Sequence, residues 1–172
     1  MAASTVDFDA AALAAIRAFL GWHLAPVRTE TVVLSVLHDA RDLPLPTGHV
    51  TDIEKVEVRS RLGVWLELPA EDFEWDADGL LRSRVPFRRG LSNVRVTMTH
   101  GYSWEDVPDV AALAATISRR ARMNPAGLAS QSVNGAAVSY QTAGGAPLSV
   151  GLLSIERQAL ESYRANAGWI AG

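Results

Sequence analysis

Glu30-Thr31-Val32-Val33-Leu34-Ser35-Val36-Leu37 is the stretch on which the fold turns. It is β-branched and alternating, the pattern of a strand with one face on a core and the other in water. Immediately upstream the period is helical. From Asp9 to Leu20, Leu13, Ile16 and Leu20 recur at helical spacing among alanines, with Asp7 or Asp9 placed to cap the start and Gly21 to stop it. The turn Gly21-Trp22-His23-Leu24-Ala25-Pro26 lies between the two. The chain thus changes from helix to sheet within a few residues of Pro26.

Working outward, further strands are predicted at His49 to Val58, Val64 to Leu68, Phe73 to Trp75, Leu80 to Arg84 and Asn93 to His100. Turn chemistry separates them at Pro46-Thr47-Gly48, Asp78-Gly79 and Arg89-Gly90. At Val107-Pro108-Asp109 the helical period returns, Pro108 suits a first turn, and Val110, Leu113, Ala114, Ile117 and Ala121 form one stripe ending near Met123. Gly127 to Pro147 is rich in glycine, serine and alanine, which predicts a flexible loop or protruding hairpin. After Ser149 a last helix is expected, with Leu152, Leu153, Ile155, Ala159, Leu160 and Tyr163 on its apolar face and the charges of Glu156 to Arg164 outside.

The order helix, β block, helix, loop, helix predicts an α+β fold. In it a small helical core of about three helices carries an inserted antiparallel β-rich subdomain, a Gly/Ser-rich loop or hairpin and an extended C-terminal tail. The expected divisions of this single domain are 1–27, 28–104, 105–124, 125–148, 149–164 and 165–172.

Composition narrows the function. The chain has 172 residues, 48% apolar and 20% charged, enough for one sizeable core. Its formal net charge of −3 makes it no bulk polyanion binder, so nucleic-acid contact needs local arginine clusters. The absence of cysteine excludes disulfides, thiolate metal sites and cysteine nucleophiles. Neither a leader pattern nor an apolar run near the ~20 residues of a membrane span is present, which predicts a soluble chain made in the cytoplasm, without membrane partners. Lys55 is the only lysine beside many arginines, alanines and glycines, a bias that follows GC-rich coding.

Motifs for chemistry fail on inspection. Glu74, Asp76 and Asp78 alternate before Gly79 like a calcium loop, but the twelfth position is Val85, so a hairpin with its turn at Ala77-Asp78-Gly79 is expected instead. His23, His38, His49 and His100 have no metal-ligand spacing. Nucleophile elbows, P-loops and dinucleotide-binding turns are absent, so neither a metal nor a cofactor is expected.

Two arginine groups stand out. Arg82, Arg84, Arg88 and Arg89 surround one hairpin, and Arg119, Arg120 and Arg122 crowd a helix end. Either could face phosphate or a carboxylate partner, although the helix macrodipole alone favours cations at that helix end. Trp169 beside Ile170, in a tail without a helix to bury it, reads as an aromatic plug for another chain's pocket.

In their order, Gly21-Trp22-His23-Leu24-Ala25-Pro26-Val27, His49-Val50-Thr51-Asp52-Ile53, Thr99-His100-Gly101-Tyr102 and Asn124-Pro125-Ala126-Gly127 resemble segments of the head-to-tail adaptors of long-tailed phages of actinobacteria. Ser130 to Tyr140 is similar to that family's serine- and glycine-rich hairpin, and Leu152 to Tyr163 to its closing helix. The departures are Asn134 and Ala136, where glycine or an aromatic is often seen, and Ser103-Trp104-Glu105. The resemblance implies a non-enzymatic virion protein, built into the head-tail junction after assembly in the host cytoplasm. It further implies a ring of copies, twelve-fold, docked beneath the portal protein, extending the channel for packaged DNA toward the next neck component. Within it, Ser132, Val133, Val138 and Tyr140 would meet neighbouring subunits and Trp169 and Ile170 the portal. Arg119, Arg120, Arg122, Arg88 and Arg89 are then the candidates for the channel or an interface.

Two other readings come from different classes. Trp65, Phe73 and Trp75 suggest a carbohydrate- or host-surface-binding β module. His100 with Asp106 or Asp109 would be the acid–base pair of a hydrolase that lacks an evident nucleophile.

Overall fold

The computed structural model describes residues 7–60, 63–123, 130–133, 136–139, 142–143, 146–147 and 151–164, the four short stretches between 130 and 147 by their backbone alone. It is α+β, with antiparallel sheets and three α-helices among the described residues. Two compact units divide it: Trp22–Ser103, and the chain up to Gly21 together with Trp104–Arg164.

The helical unit begins with α1 (Phe8–Leu20). Of the two candidate caps, Asp7 does the work, its carboxylate accepting the Asp9 and Ala10 amides at 3.0 and 3.1 Å. Gly21 ends the helix in the left-handed region, φ 82°, with its amide on the Arg17 carbonyl. Ala12, Ile16 and Leu20 form the buried stripe, packed against α2 (Pro108–Met123) and α3 (Ser154–Leu160). In α2, Val110, Ile117 and Ala121 are buried as their spacing predicts, and Ser118 joins them.

α3 departs from expectation. It starts at Ser154 rather than just after Ser149, and its inward residues are Glu156 and Leu160, while Ile155 is 73% exposed. Apolar periodicity set the wrong phase because Arg120 of α2 supplies a charge that lets Glu156 lie inside. Between α2 and α3, β8 (Ser130–Val133) pairs antiparallel with β9 (Ala136–Ser139), and β10 (Thr142–Ala143) with β11 (Ala146–Pro147).

The other unit packs two antiparallel sheets over one core. β1 (Arg28–Val36), β7 (Gly90–His100), β3 (Val50–Arg59) and β4 (Trp65–Glu67) form the first in the order β1-β7-β3-β4. β2 (Ala40–Pro44), β6 (Leu80–Phe87) and β5 (Phe73–Trp75) form the second in the order β2-β6-β5. Alternation along β7 sends Val94, Val96, Met98 and His100 inward and Arg95, Thr97 and Thr99 outward. Val56 and Leu81, like Val96 and Met98, have no exposed surface, and each such side chain contributes roughly 1.5–3 kcal/mol over an exposed one.

β2 was not predicted, since its alanine, aspartate and proline are poor strand formers, and only pairing with β6 holds it extended. β6 runs beyond Arg84 to Phe87. Pro86 falls where the β2–β6 register slips between Ala40 and Asp42, a place that tolerates a residue without an amide hydrogen.

Candidate functional site

Three of the sequence segments singled out above meet at one corner of the β unit. The turn after α1 buries Trp22, His23, Leu24 and Ala25, and the Ala25–Pro26 peptide is cis. The Tyr102 amide donates to the Leu24 carbonyl at 2.7 Å and the Gly101 amide to the His49 carbonyl at 2.9 Å. Gly101, at φ 94°, lies so close beneath the turn that a Cβ would sit 3.1 Å from the Leu24 oxygen and 3.2 Å from that of Pro26. His49 stacks on Tyr102 with ring centroids 4.0 Å apart, and Trp22 covers Gly48.

At the centre is His100, with no exposed surface. Its Nε2 lies 2.9 Å from Glu30 Oε1 and its Nδ1 3.0 Å from Thr47 Oγ1. Burial lowers the imidazole pKa against the pull of Glu30, so the neutral ring is favoured: Nε2–H donates to Glu30 and Nδ1 accepts from Thr47. Burial works to raise the Glu30 carboxyl, but Arg28 and His100 together carry it below its ordinary value. His23 Nε2–H donates to the Pro26 carbonyl at 2.6 Å. The corner is a polar lock on the chain path. His100 thus takes Glu30 as its carboxylate, and Asp109 accepts the Tyr163 hydroxyl at 3.1 Å.

The aromatics proposed as a carbohydrate platform do not share a face that is open. Phe73 and Trp75 pack against the β core, and Trp65 carries the Arg95 guanidinium at 4.5 Å from its ring centre. Arg95 also grips Glu57 with two hydrogen bonds of 2.6 and 2.7 Å, and Lys55 reaches the same carboxylate. The hydrogen bonds from Arg95 outweigh desolvation and hold Glu57 down at about 2.

The helix arginines are distributed among three environments. Arg120, only 11% exposed, clamps Glu156 through both terminal nitrogens and also donates to the Gly151 carbonyl. Arg122 reaches Asp9 of α1, whose carboxylate also accepts the Ser118 hydroxyl. Arg119 is exposed, with no partner among the described residues.

The hairpin arginines are arranged differently. Arg88 donates to Asp39 at 3.0 Å while 82% exposed, and the Arg89 amide donates to the other Asp39 oxygen at 2.7 Å. That backbone bond, with Arg88 beside it, holds the Asp39 carboxyl below its usual range. Asn93 ties the turn together, donating to the Arg88 carbonyl and accepting the Val36 amide. The Arg89 guanidinium has no ion-pair partner among the described residues. Arg59 joins Arg88 and Arg89 around an open cleft of about 650 Å³, with Asp39, Ser60, Gly90 and Asn93.

This fold has known counterparts. The chain resembles a structure of the neck of an empty gene transfer agent particle, computed with C6 symmetry, with a TM-score of 0.59 at 15% identity over 96% of this chain and 83% of that one. It resembles the neck of the native particle, computed with C12 symmetry, with a TM-score of 0.57 at 17% identity over 92% and 80%. A chain of the native virion gives 0.58 at 18% identity over 92% and 75%. The likeness is one of fold. No family model and no curated protein matches the sequence.

Sequence reading missed Arg59 and Asp39 as members of the hairpin group. Neither adjoins Arg88 along the chain, and only the ends of β3 and β6 and the start of β2 bring them together. Tyr140, Trp169 and Ile170 fall outside the described residues, and Ser132, Val133 and Val138 are described by backbone pairing alone.

Proposed function

We propose that the chain is a structural, non-catalytic subunit of the neck of a phage-like particle, closing into a ring at the head-tail junction. The observation that carries this reading is the extent of the fold likeness. It spans 96% of the chain, helical and β units alike, and 83% of a chain from a neck. The sequence segments that resemble head-to-tail adaptors point the same way, and three of them build the His100 corner.

In this reading the ring has twelve copies, docks on the portal protein, meets the next neck component on its other side and extends the DNA channel. The C12 symmetry applied to the gene transfer agent neck supports the copy number. Trp169 and Ile170 anchor the subunit to the portal, and Ser132, Val133, Val138 and Tyr140 meet its neighbours. Arg119, Arg88 and Arg89 remain candidates for the channel wall or an interface, whereas Arg120 and Arg122 spend their charge on internal carboxylates.

Electron microscopy of the chain assembled with its portal protein, beside a version ending at Arg164, tests this. A ring below the portal, lost on truncation, is the expected result. A ring kept on truncation would discard the Trp169 anchor, and no association in either form would discard the neck assignment.

A further inference from the structure

The Arg59, Arg88 and Arg89 cleft carries three guanidinium groups against the single carboxylate of Asp39. Asn93, Asp39 and the Ser35 hydroxyl, which accepts the Ser92 amide at 2.9 Å, tie down the turn that carries Arg88 and Arg89, and Arg59 reaches the cleft from the end of β3. Next to the cleft-lining residues along the chain stand large exposed apolar side chains: Leu91, 79% exposed, beside Gly90, and Leu37, 56% exposed, two residues before Asp39. Arginine interleaved with apolar surface is the composition of a protein interface. A nucleic-acid backbone would give those leucines nothing to bury.

The matching surface is on the same unit. At the other end of β6, Asp76 and Asp78 are exposed in the β5–β6 turn and have no cationic partner among the described residues. Glu74 differs, since it lies opposite Arg82. The eight residues of β6 separate the two ends by about 26 Å at the usual rise per residue. A turn at one end cannot fold back into the cleft at the other, so the two patches can meet only between copies. Two different, complementary patches at opposite ends of one subunit are what a head-to-tail contact requires, and repeated by rotation such a contact closes a ring.

We propose that the cleft of Arg59, Arg88 and Arg89 receives the acidic turn of Asp76 and Asp78 from an adjacent copy of the chain. This rests on the ring reading and names the contact that closes it. Guanidinium groups and carboxylates pair with two parallel hydrogen bonds, which sets the register as well as the attraction.

The chain has no cysteine, so introduced thiols report on one contact at a time. Particles assembled with the portal protein from full-length chain carrying both Arg89→Cys and Asp78→Cys are oxidised and run on a denaturing gel beside each single variant. The expected result is a ladder of disulfide-linked multimers reaching the ring size in the double variant, and monomers in each single one. Rings visible by microscopy without the ladder would overturn the contact and leave the ring reading standing. Dimers from Arg89→Cys alone would overturn it in favour of a two-fold contact between clefts. Absence of rings and ladder from the double variant, and of rings from the unsubstituted chain as well, would overturn the contact together with the ring. If the ladder is absent and Arg59→Gln/Arg88→Gln/Arg89→Gln rings lose packaged DNA, the cleft belongs to phosphate instead.

Discussion

The arginines at the end of α2 and those at the β6–β7 turn are alike as sequence and opposite as structure, while Arg82, further back on β6, is spent on Asp42. At the end of α2, Arg120 and Arg122 are bound to carboxylates of α3 and α1, and only Arg119 is left over. At the β6–β7 turn a single aspartate serves Arg88 and the Arg89 amide, and the charges of Arg59 and Arg89 have no partner among the described residues. The first group holds three helices together. The second is held still by its surroundings while its charge points outward, which is the condition for recognising something else. A cluster of like charge in a sequence becomes informative only once the carboxylates that the fold delivers to it are subtracted.

The sharpest way to break that contrast is Arg120→Ala, which leaves Glu156 buried without its counterion. It should cost about 3–5 kcal/mol in urea unfolding, and a loss below about 1 kcal/mol would put Arg120 among the surface cations. Acid titration sharpens the contrast from the β unit, where Arg95 is as fully used as Arg120. Glu57 sits at about 2 in the fold against 4.5 as its ordinary value. Its folded pKa is depressed, so the stability it supplies is complete above about pH 4.5 and lost as pH falls toward 2. Glu57→Gln should flatten the unfolding midpoint across that window, and an unchanged slope would deny the Arg95 grip.

Gly90→Ala disturbs the frame of the free arginines without touching their charge. A Cβ there would lie 2.8 Å from Asn93 Nδ2, displacing a side chain that holds both Arg88 and Val36. A loss of about 1–2 kcal/mol is expected, together with weaker ring formation measured by sedimentation. Arg122→Ala removes an exposed pair, 56% and 66% exposed, and should cost under about 1 kcal/mol. Smallest of all, Arg59→Gln, Arg88→Gln and Arg89→Gln should each move folding by less than about 0.5 kcal/mol, although the triple variant should fail to assemble.

Much of the scaffold was legible. The Leu13, Ile16 and Leu20 spacing with Asp7 and Gly21 marked α1, and alternation marked β1, β3 and β7, because each of these buries one face on a core in the ordinary way. β2 escaped because its residues contribute little to strand formation and the partner strand lies some forty residues away. Glu156 was placed outside because nothing local signals a counterion on another helix. For the candidate site, Arg88 and Arg89 were visible as a pair, but Arg59 and Asp39 enter through tertiary register alone. The corner around His100 was visible as three separate segments, and their meeting under Gly101 was not.

The central claim is that this chain assembles into a closed ring, and mass measurement states it most directly. Native mass spectrometry of the full-length chain with its portal protein should give one complex containing twelve copies of the chain, sensitive to salt and absent for the triple arginine variant. A chain that stays monomeric beside the portal at every concentration and salt would contradict the account.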